Sequence, residues 1–392
     1  MSLLFVHDFK GIEYNGEVYD RSFSYKVWKE RYLNVFGSMT VCNRLRRTEE
    51  NPVEKMEKSS GVGVKFREDL PYYMGPEVFI NRKIRKIIRE EVENNQACIV
   101  RLDSFLGLLA IDECRKAGKK YLIEVAGCAW DSFWNHGIFG KILAPFVFYK
   151  TKKEILRAPY VVYVTKEFLQ HRYPTHGKKA NISNVELKEV ESSILKKRID
   201  KIIEKKENTI VLGTAANVDV KYKGQQYVID ALSLLKKEGN TQYVYQIAGP
   251  GDQSYLRRYA KKKGVERQVI FMNSLSHEQI FEWLDKNVDI YIQPSLQEGL
   301  PRAVIEAMSR GCPCIGTRVA GIPELIEREF TYSTNKNMGQ ELAKLIKKMN
   351  LTKQVSLAKT NYEKAKEYTS EKLEKRRELF FKEYLAGTEK SE

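Results

Sequence analysis

The feature that most constrains the fold is a regular alternation of strand-like and helix-like segments along both halves of the chain. Short apolar runs predict strands at 3–7, 39–43, 97–102, 120–125 and 160–165, and again at 209–213, 243–248, 268–271, 290–293 and 314–316. Longer helix-like stretches separate them at 23–35, 81–93, 106–116, 138–157, 225–238, 254–263, 276–286, 302–310 and 340–349. Strands joined through helices form parallel sheets covered on both faces. The sequence therefore predicts an α/β fold with two Rossmann-like, doubly wound domains.

The chain is long enough for two domains, because each half of its 392 residues can bury its own core. The predicted joint lies between Val185 and Lys206, where the stretch 181–187 gives way to a charged, helix-like stretch ending at Glu207. We predict an N-terminal domain over 1–187 and a C-terminal domain over 188–365. The remaining segment, 366–392, is strongly helical and charged, and we expect it to pack back across the joint.

Composition excludes several classes of protein. With 42% hydrophobic residues, 22 Tyr and 17 Phe, the chain is not intrinsically disordered. No apolar run approaches the roughly 18 residues of a membrane span. The first six residues lack a basic segment, so a buried strand and a cytoplasmic location are expected rather than a signal peptide. The six scattered cysteines indicate buried thiols, because Cys312-Pro-Cys314, the close pair, has no histidine or second pair nearby.

The formal net charge of +16 is spread over both halves of the chain. Solvated helix faces explain such a distribution, and an anionic partner such as phosphates, a membrane surface or nucleic acid is the alternative. This charge and basic clusters such as 257–263 would be consistent with a nucleic-acid-binding protein, but the sequence contains no recognised nucleic-acid-binding module.

The stretch after the predicted strand 290–293 is the most informative part of the sequence. It opens a helix near Arg302, with Pro301 at a position that a helix start tolerates. The backbone amides near Gly299 and Leu300 would then lie free at a positive helix end, where phosphate binds readily.

Two glutamates flank this predicted phosphate site. Glu298 precedes the turn, and Glu306 lies inside the helix, on the order of 10 Å further along. Two carboxylates so spaced could hold the hydroxyl groups at the two ends of a nucleotide-sugar.

With these residues the sequence resembles the retaining glycosyltransferases of the two-domain GT-B fold, most closely glycosyltransferase family 4, also described as glycosyl transferases group 1. The resemblance rests first on Glu298 and Glu306, with seven residues between them, and on the run Glu306-Ala-Met-Ser-Arg-Gly-Cys-Pro. Further motifs follow the family's order: Lys223-Gly224, Ile247-Ala-Gly-Pro-Gly-Asp252, Asp289-Ile-Tyr-Ile-Gln-Pro-Ser295 and Gly321-Ile-Pro-Glu324.

The resemblance assigns the donor site to the C-terminal domain. It implies that Glu298 contacts the transferred sugar, that Glu306 binds the ribose hydroxyls and that Lys223 binds the diphosphate. Gly299, Leu300 and Pro301 would line the donor phosphates. Gly249 would belong to a turn beside the nucleotide, since Gly249-Pro-Gly251 lacks the third glycine of a dinucleotide-binding motif.

The N-terminal domain would bind the acceptor. The family often has a histidine near the donor sugar, and here Asp131 or His136 would take that place. Trp130, Phe133 and Trp134 could stack on sugar faces, with ordinary aromatic packing as the alternative.

Two glycines are expected against donor and acceptor. The loop that should follow the first strand, starting at His7, contains Gly11 and Gly16, where the family brings a glycine-containing loop close to both substrates.

The chain departs from the family's pattern in its diphosphate ligands. The stretch from Gly213 to Lys221, where the family often has an arginine, contains none, and Thr214, Asn217 or Lys221 would substitute for it. No Asp-x-Asp motif occurs, so we expect metal-independent transfer with retention, with no metal site and no cofactor.

The segment from Ile138 to Arg157 is aromatic and apolar first and basic afterwards. It could lie on an anionic membrane, which would make a lipid-linked saccharide the natural acceptor. A buried domain helix is the alternative.

The resemblance implies transfer of a hexose or N-acetylhexosamine from a UDP- or GDP-sugar to a saccharide, in bacterial surface polysaccharide or capsule assembly. The domains would close around the donor. A nucleotide-sugar epimerase of the same fold and a catalytically inactive scaffold are the alternatives within this fold.

Overall fold

The computed structural model describes residues 1–53, 56–134, 137–188 and 190–389. The chain divides into two compact units, Met1–Ile182 together with Leu373–Glu392, and Ser183–Lys372. Each unit is built on its own sheet, with helices connecting most of the strands. The predicted α/β class with two mostly parallel sheets is therefore confirmed.

The described residues of the first unit form nine strands. They are β1 (Ser2–Tyr14), β2 (Glu17–Asp20), β3 (Ser38–Arg47), β4 (Glu57–Lys58), β5 (Val64–Phe66), β6 (Ala97–Leu102), β7 (Leu122–Val125), β8 (Tyr160–Tyr163) and β9 (Lys178–Asn181). The parallel part of the sheet runs in the order β5-β3-β1-β6-β7-β8-β9. β2 pairs antiparallel with the second half of β1, and β4 pairs antiparallel with β2.

The helices of this unit cover the sheet. They are α1 (Tyr25–Trp28), α2 (Asn34–Phe36), α3 (Arg82–Asn94), α4 (Phe105–Lys116), α5 (Ala129–Trp134), α6 (Gly137–Arg157) and α7 (Phe168–Arg172), with a π-helical turn at Lys29–Leu33 and a 3₁₀ turn at Pro76–Phe79. Side chains of α3 and α4 pack with those of β1 and β6 in one apolar core. The predicted helices 81–93 and 106–116 correspond to α3 and α4.

The first strand is longer than predicted. Pairing with β3 resumes at Lys10 after an irregularity and continues to Glu13, so the loop expected from His7 onward is wrong. Gly11 lies within β1, where an added Cβ would come within 2.8 Å of Asn43 Nδ2. Gly16 lies in the turn between β1 and β2 at φ +77°. Close packing at Gly11 and the left-handed backbone at Gly16 thus explain why glycine occupies these positions. Their contact with substrates stays a prediction.

In the second unit, the part of the chain that the structure describes forms six strands: β10 (Ile210–Ala215), β11 (Tyr243–Ala248), β12 (Val269–Asn273), β13 (Ile290–Gln293), β14 (Cys314–Thr317) and β15 (Thr331–Tyr332). Every neighbouring pair is parallel, in the order β12-β11-β10-β13-β14-β15. The helices are α8 (Ser192–Glu204), α9 (Gln225–Lys237), α10 (Ser254–Lys262), α11 (His277–Lys286), α12 (Arg302–Ser309), α13 (Ile322–Leu325), α14 (Met338–Lys348) and α15 (Leu351–Ala365), with 3₁₀ turns at Lys221–Lys223, Glu266–Gln268, Arg328–Phe330 and Lys366–Tyr368. This is the strand order of a dinucleotide-binding Rossmann sheet.

The last helix, α16 (Ser370–Glu389), belongs to the first unit from Leu373 onward. Tyr384 fixes it there, because its hydroxyl accepts a hydrogen bond from Cys98 N and lies 3.1 Å from Cys98 O. All six cysteines are free and buried, as predicted. Within the described residues, no helix combines the length and the apolar character needed to cross a bilayer.

Candidate active site

The strand order of the second unit indicates where its ligand would bind. The order reverses between β10 and β13, which lie side by side, and open α/β sheets bind ligands at the carboxyl ends of the strands at such a reversal. The segments that follow these two strands meet, since Leu296 N donates a hydrogen bond to Tyr222 O over 2.7 Å. Lys223 and Glu298 lie on these two segments.

Gly224 makes this contact possible. Its φ of +79° is left-handed, and an added Cβ would lie 1.9 Å from Pro294 O. A side chain here would both strain the backbone and collide with the neighbouring loop. The glycine of the Lys223-Gly224 pair is therefore explained by the close approach of the two loops.

Lys223 and Glu298 form an ion pair at this edge of the sheet. Lys223 Nζ lies 2.8 Å from Glu298 Oε1, and the side chains are 24% and 12% exposed. Gln293 Nε2 also donates to Glu298 Oε1, over 2.9 Å. An ammonium group that is partly exposed and held by one carboxylate oxygen still has donors available for an anion.

Buried hydrogen bonds behind the ion pair hold Gln293 in place. Tyr291 OH donates to Gln293 Oε1 over 3.1 Å, while Gln293 Nε2 lies 2.9 Å from Ser295 Oγ. Burial raises the pKa of Tyr291, so its phenol keeps the proton that it donates. Gln293 thus orients Glu298, and hydrogen bonds to its own side-chain amide oxygen and nitrogen hold Gln293 in place.

Glu306 lies in α12, and its partner comes from α11. His277 Nε2 is 3.6 Å from Glu306 Oε1. The nearby Glu306 carboxylate raises the pKa of His277, with a smaller contribution from the charge of Glu186, while burial and the charge of Arg302 lower it. Sequence reasoning missed His277, because the residue is 29 positions away and only the packing of the two helices brings it to Glu306.

The loop between Glu298 and α12 is tied to the Gly321-Ile-Pro-Glu324 motif. Gly299 O accepts a hydrogen bond from Gly321 N over 2.9 Å, and Leu300 is buried. Pro301 occupies the N-cap position, one residue before the helix, and its carbonyl accepts from Val304 N. The loop is therefore held at both ends where it leads into the helix N-terminus, whose first amides have no intrahelical acceptor.

Gly249 follows the neighbouring strand β11 at the same edge. At φ +155° its added Cβ would lie 2.1 Å from Ala216 O, so the loops after β10 and β11 also pack without room for a side chain. The turn that contains Gly249 thus lies at the same edge of the sheet as Lys223 and Glu298. Its contact with the nucleotide stays a prediction.

One of the proposed substitutes for the missing arginine is wrong. Thr214 is fully buried, and its hydroxyl donates to Ile292 O and accepts from Tyr245 OH. It cannot also reach a diphosphate. Asn217 and Lys221 are exposed in the following loop, where Lys221 Nζ lies 4.9 Å from the centre of the Tyr255 ring.

The predicted acceptor residues of the first unit lie on α5, after β7. Trp130 and Trp134 stack with ring centres 5.2 Å apart, and Trp134 is exposed. Phe133 packs edge-on against Phe105, which is the ordinary aromatic packing considered above. Burial raises the pKa of Asp131, opposed by the charge of Arg172. His136 lies outside the described residues.

A second carboxyl group near Asp131 was missed. Asp103 follows β6, and Ser132 Oγ donates to its Oδ2 over 3.0 Å. Burial raises the pKa of Asp103 to about 7, with a further contribution from the charge of Asp131. The sequence signal that could have found Asp103 is a polar residue directly after a buried strand.

Among the described residues, no three His, Cys, Asp or Glu side chains cluster as metal ligands would.

Comparison with known proteins agrees with this geometry. The family model described as glycosyl transferases group 1 matches residues 196–373. Protein CapJ of Staphylococcus aureus is 33% identical over 358 residues, which cover 90% of this chain and 88% of CapJ.

Two solved structures share the fold. HepE of Anabaena, solved in complex with UDP, has a TM-score of 0.66 at 15% identity and covers 99% of this chain and 100% of its own. The lipopolysaccharide outer core galactosyltransferase WaaB, in its apo form, has a TM-score of 0.63 at 16% identity and covers 97% and 100%. The chain thus belongs to the family of glycosyl transferases group 1, and it is a glycosyltransferase of the GT-B fold.

Proposed function

We propose that this enzyme transfers a hexose or N-acetylhexosamine from a UDP- or GDP-sugar to a saccharide acceptor during assembly of a bacterial surface polysaccharide. The observation that carries the proposal is the Lys223–Glu298 ion pair at the strand-order reversal of the second unit. The Glu306–His277 pair, on the helix that opens after the same loop, supports it.

The donor would bind at this edge of the sheet. Lys223 would contact the diphosphate, where negative charge grows as the sugar leaves, and a fixed cation stabilises that charge in the transition state. The amides of the Gly299–Leu300–Pro301 loop would add donors to the phosphates, although proline itself contributes none. Glu306 would accept hydrogen bonds from the ribose hydroxyls, and Glu298 would accept them from the transferred sugar. UDP bound to HepE supports a nucleotide donor.

The reaction would retain the anomeric configuration and need no metal or cofactor. Support comes from the sequence, which lacks the Asp-x-Asp carboxylates and provides Lys223 as a cation. In a front-face reaction the leaving phosphate oxygen takes the proton of the acceptor hydroxyl. Asp131 would then orient the acceptor beside the reacting carbon.

The acceptor would be a saccharide, bound by Trp130 and Trp134 through stacking on its apolar faces. WaaB, whose name describes sugar transfer to a lipopolysaccharide, shares the fold and supports a saccharide acceptor. A lipid-linked acceptor would place the enzyme in the cytoplasm at the inner face of the cell membrane, in peripheral contact through the segment from Ile138 to Arg157.

The experiment that tests this proposal is a transfer assay with a panel of UDP- and GDP-hexoses and N-acetylhexosamines, with lipid extract as the acceptor source. We expect acceptor-dependent release of one nucleotide, unaffected by a chelator, and a product whose anomeric proton coupling equals that of the donor. Glu298→Gln should abolish it. The matched control is Glu329→Gln, which breaks an exposed ion pair with Lys353 elsewhere in the same unit. Activity that survives in Glu298→Gln would refute the assignment of the donor-sugar contact.

A further inference from the structure

Helix α6 leaves one apolar face uncovered. The five large side chains that form it are 60–79% exposed: Ile138, Phe139, Ile142, Phe146 and Tyr149. Residues 138, 142, 146 and 149 follow one another at one-turn intervals, so they lie on one side of the helix. The other side, with Gly140, Ala144 and Val147, is buried. Folding of the first unit therefore explains half of this helix and leaves the other half without a role.

Two neighbouring segments extend this face. On α5, Trp134 is 42% exposed, and Lys141 Nζ lies 5.6 Å from the centre of its ring. On the turn before α3, Phe79 lies beneath Lys150 Nζ at 4.1 Å, and the next residue, Ile80, is 83% exposed. We call Ile80, Trp134 and the five α6 side chains together the apolar face.

The exposed charges that α6 places beside the apolar face are positive. Lys153 follows Tyr149 by one turn on the same side of α6, and Lys141 and Lys150 lie over aromatic rings that belong to or adjoin the face. Glu154, the acidic residue of α6, is buried and pairs with Arg115 over 2.8 Å. Exposed aromatic and aliphatic side chains bordered by lysines match the boundary between acyl chains and anionic head groups.

We propose that the apolar face docks on the surface of an anionic phospholipid bilayer, with its aromatic and aliphatic side chains among the acyl chains and its lysines at the head groups. This attachment does not require sugar transfer to be correct. A bilayer is the occupant that the observations favour, because a convex helix face with a basic border complements a flat anionic surface.

The docking also defines a path for the acceptor, and this step rests on the proposed function. Trp134 belongs to the apolar face and stacks on Trp130, a predicted acceptor residue of the same helix. A lipid-linked saccharide could therefore keep its lipid in the bilayer while its sugar reaches Trp130. The substrate class that fits this arrangement is a short saccharide on a membrane-embedded lipid phosphate or diphosphate.

Co-sedimentation of the full chain with vesicles tests the docking. Vesicles of phosphatidylcholine alone are compared with vesicles containing one-quarter phosphatidylglycerol, at low and at high salt. We expect affinity for the anionic vesicles at low salt to exceed that for the neutral ones about tenfold or more, because each lysine near the surface contributes about a fivefold gain. High salt should reduce the difference.

Two variants separate the apolar from the charged contribution. The double variant Phe139→Ser, Ile142→Ser should lose about tenfold or more in affinity for both kinds of vesicle. Lys150→Gln with Lys153→Gln should lose affinity for the anionic vesicles alone. The matched control is Leu379→Ser, which removes an apolar side chain of similar exposure on α16.

The outcomes are distinct. Unchanged vesicle binding in the Phe139→Ser, Ile142→Ser variant, or equal binding to both vesicle types, would overturn the proposal. A third result would also overturn the proposal: wild type does not bind vesicles but forms a dimer in sedimentation velocity, and the variant is a monomer. The apolar face would then be a self-association surface. Nucleotide titration of the same variant keeps the two proposals separate. A variant that binds nucleotide but no longer docks supports both proposals. A wild-type protein that docks but binds no nucleotide would contradict only the proposed function.

Discussion

Lys223 Nζ lies 2.8 Å from Glu298 Oε1, although 75 residues separate the two in the chain. The contact exists because the segments after β10 and β13 meet where the strand order reverses. It connects the residue proposed to bind the leaving diphosphate with the residue proposed to bind the transferred sugar. One substitution can therefore disturb both ends of the breaking bond.

Lys223→Met should lower kcat about 100-fold or more, since loss of one preorganised group that stabilises transition-state charge typically costs that much. The measurement is steady-state kinetics with the donor found in the transfer assay. Lys353→Met, which removes an exposed ion pair with Glu329, serves as the control and should leave kcat unchanged. A Lys223→Met enzyme with normal kcat would show that the diphosphate is stabilised by other groups.

Gly224→Ala should destabilise the protein by several kcal/mol, because the added Cβ would meet Pro294 O at 1.9 Å and the backbone is left-handed. Gly239→Ala is a matched control. Its φ of +82° is nearly the same, but no atom lies within 4 Å of the added Cβ, so it should cost only about 1 kcal/mol. Urea unfolding of both variants gives the comparison, and equal losses would mean that the contact between the loops is not tight.

Stability should respond to pH through His277. Its pKa in the folded protein is raised above 6.5 by Glu306, so the folded state binds the proton more tightly than the unfolded state. This contribution is complete below pH 6.5 and is lost as pH rises through the folded pKa. Unfolding free energies at pH 6 and pH 8.5 should therefore differ less in His277→Gln than in wild type. The same pH difference in both proteins would argue against the pair.

Asp103 should act in the same direction, over a lower pH range. Burial raises its pKa from 3.8 to about 7, so the folded state holds a proton that the unfolded state releases. Its cost to stability grows as pH rises from about 4 to about 7 and is complete above that range. Asp103→Asn should thus stabilise the protein at pH 8 by about 1 kcal/mol or more, and much less at pH 4.5. Denaturant unfolding at the two pH values measures this, and a variant that is less stable than wild type at pH 8 would contradict the cost of burying the Asp103 carboxylate.

The sequence predicted the strands β11, β13 and β14 well because they are buried on both faces of the sheet. Such strands are continuous apolar runs, and the predictions at 243–248 and 290–293 coincide with β11 and β13. β15, only two residues long, gave no such signal. In the first unit the second half of β1 was missed, because its residues alternate between apolar and polar and contain Gly11.

The donor-site motif was recognisable because its residues lie close together in sequence. Glu298 and Glu306 flank one turn, and Lys223 precedes a glycine that only a close contact between loops explains. His277 and Asp103 were missed, since their neighbours come from other helices and loops and no local pattern records them. Thr214 was one of three candidate diphosphate ligands because its sequence position is close to Lys223, whereas the alternation of β10 turns its side chain into the core.

Calorimetric titration with UDP and with GDP tests the central claim most directly. We expect micromolar binding of one of the two nucleotides, lost in Glu306→Ala and retained in the control Glu329→Ala, whose carboxylate lies in an exposed ion pair. That result would establish the donor site and identify the nucleotide of the donor sugar. Binding of neither nucleotide, or equal binding by wild type and Glu306→Ala, would contradict the donor site described above.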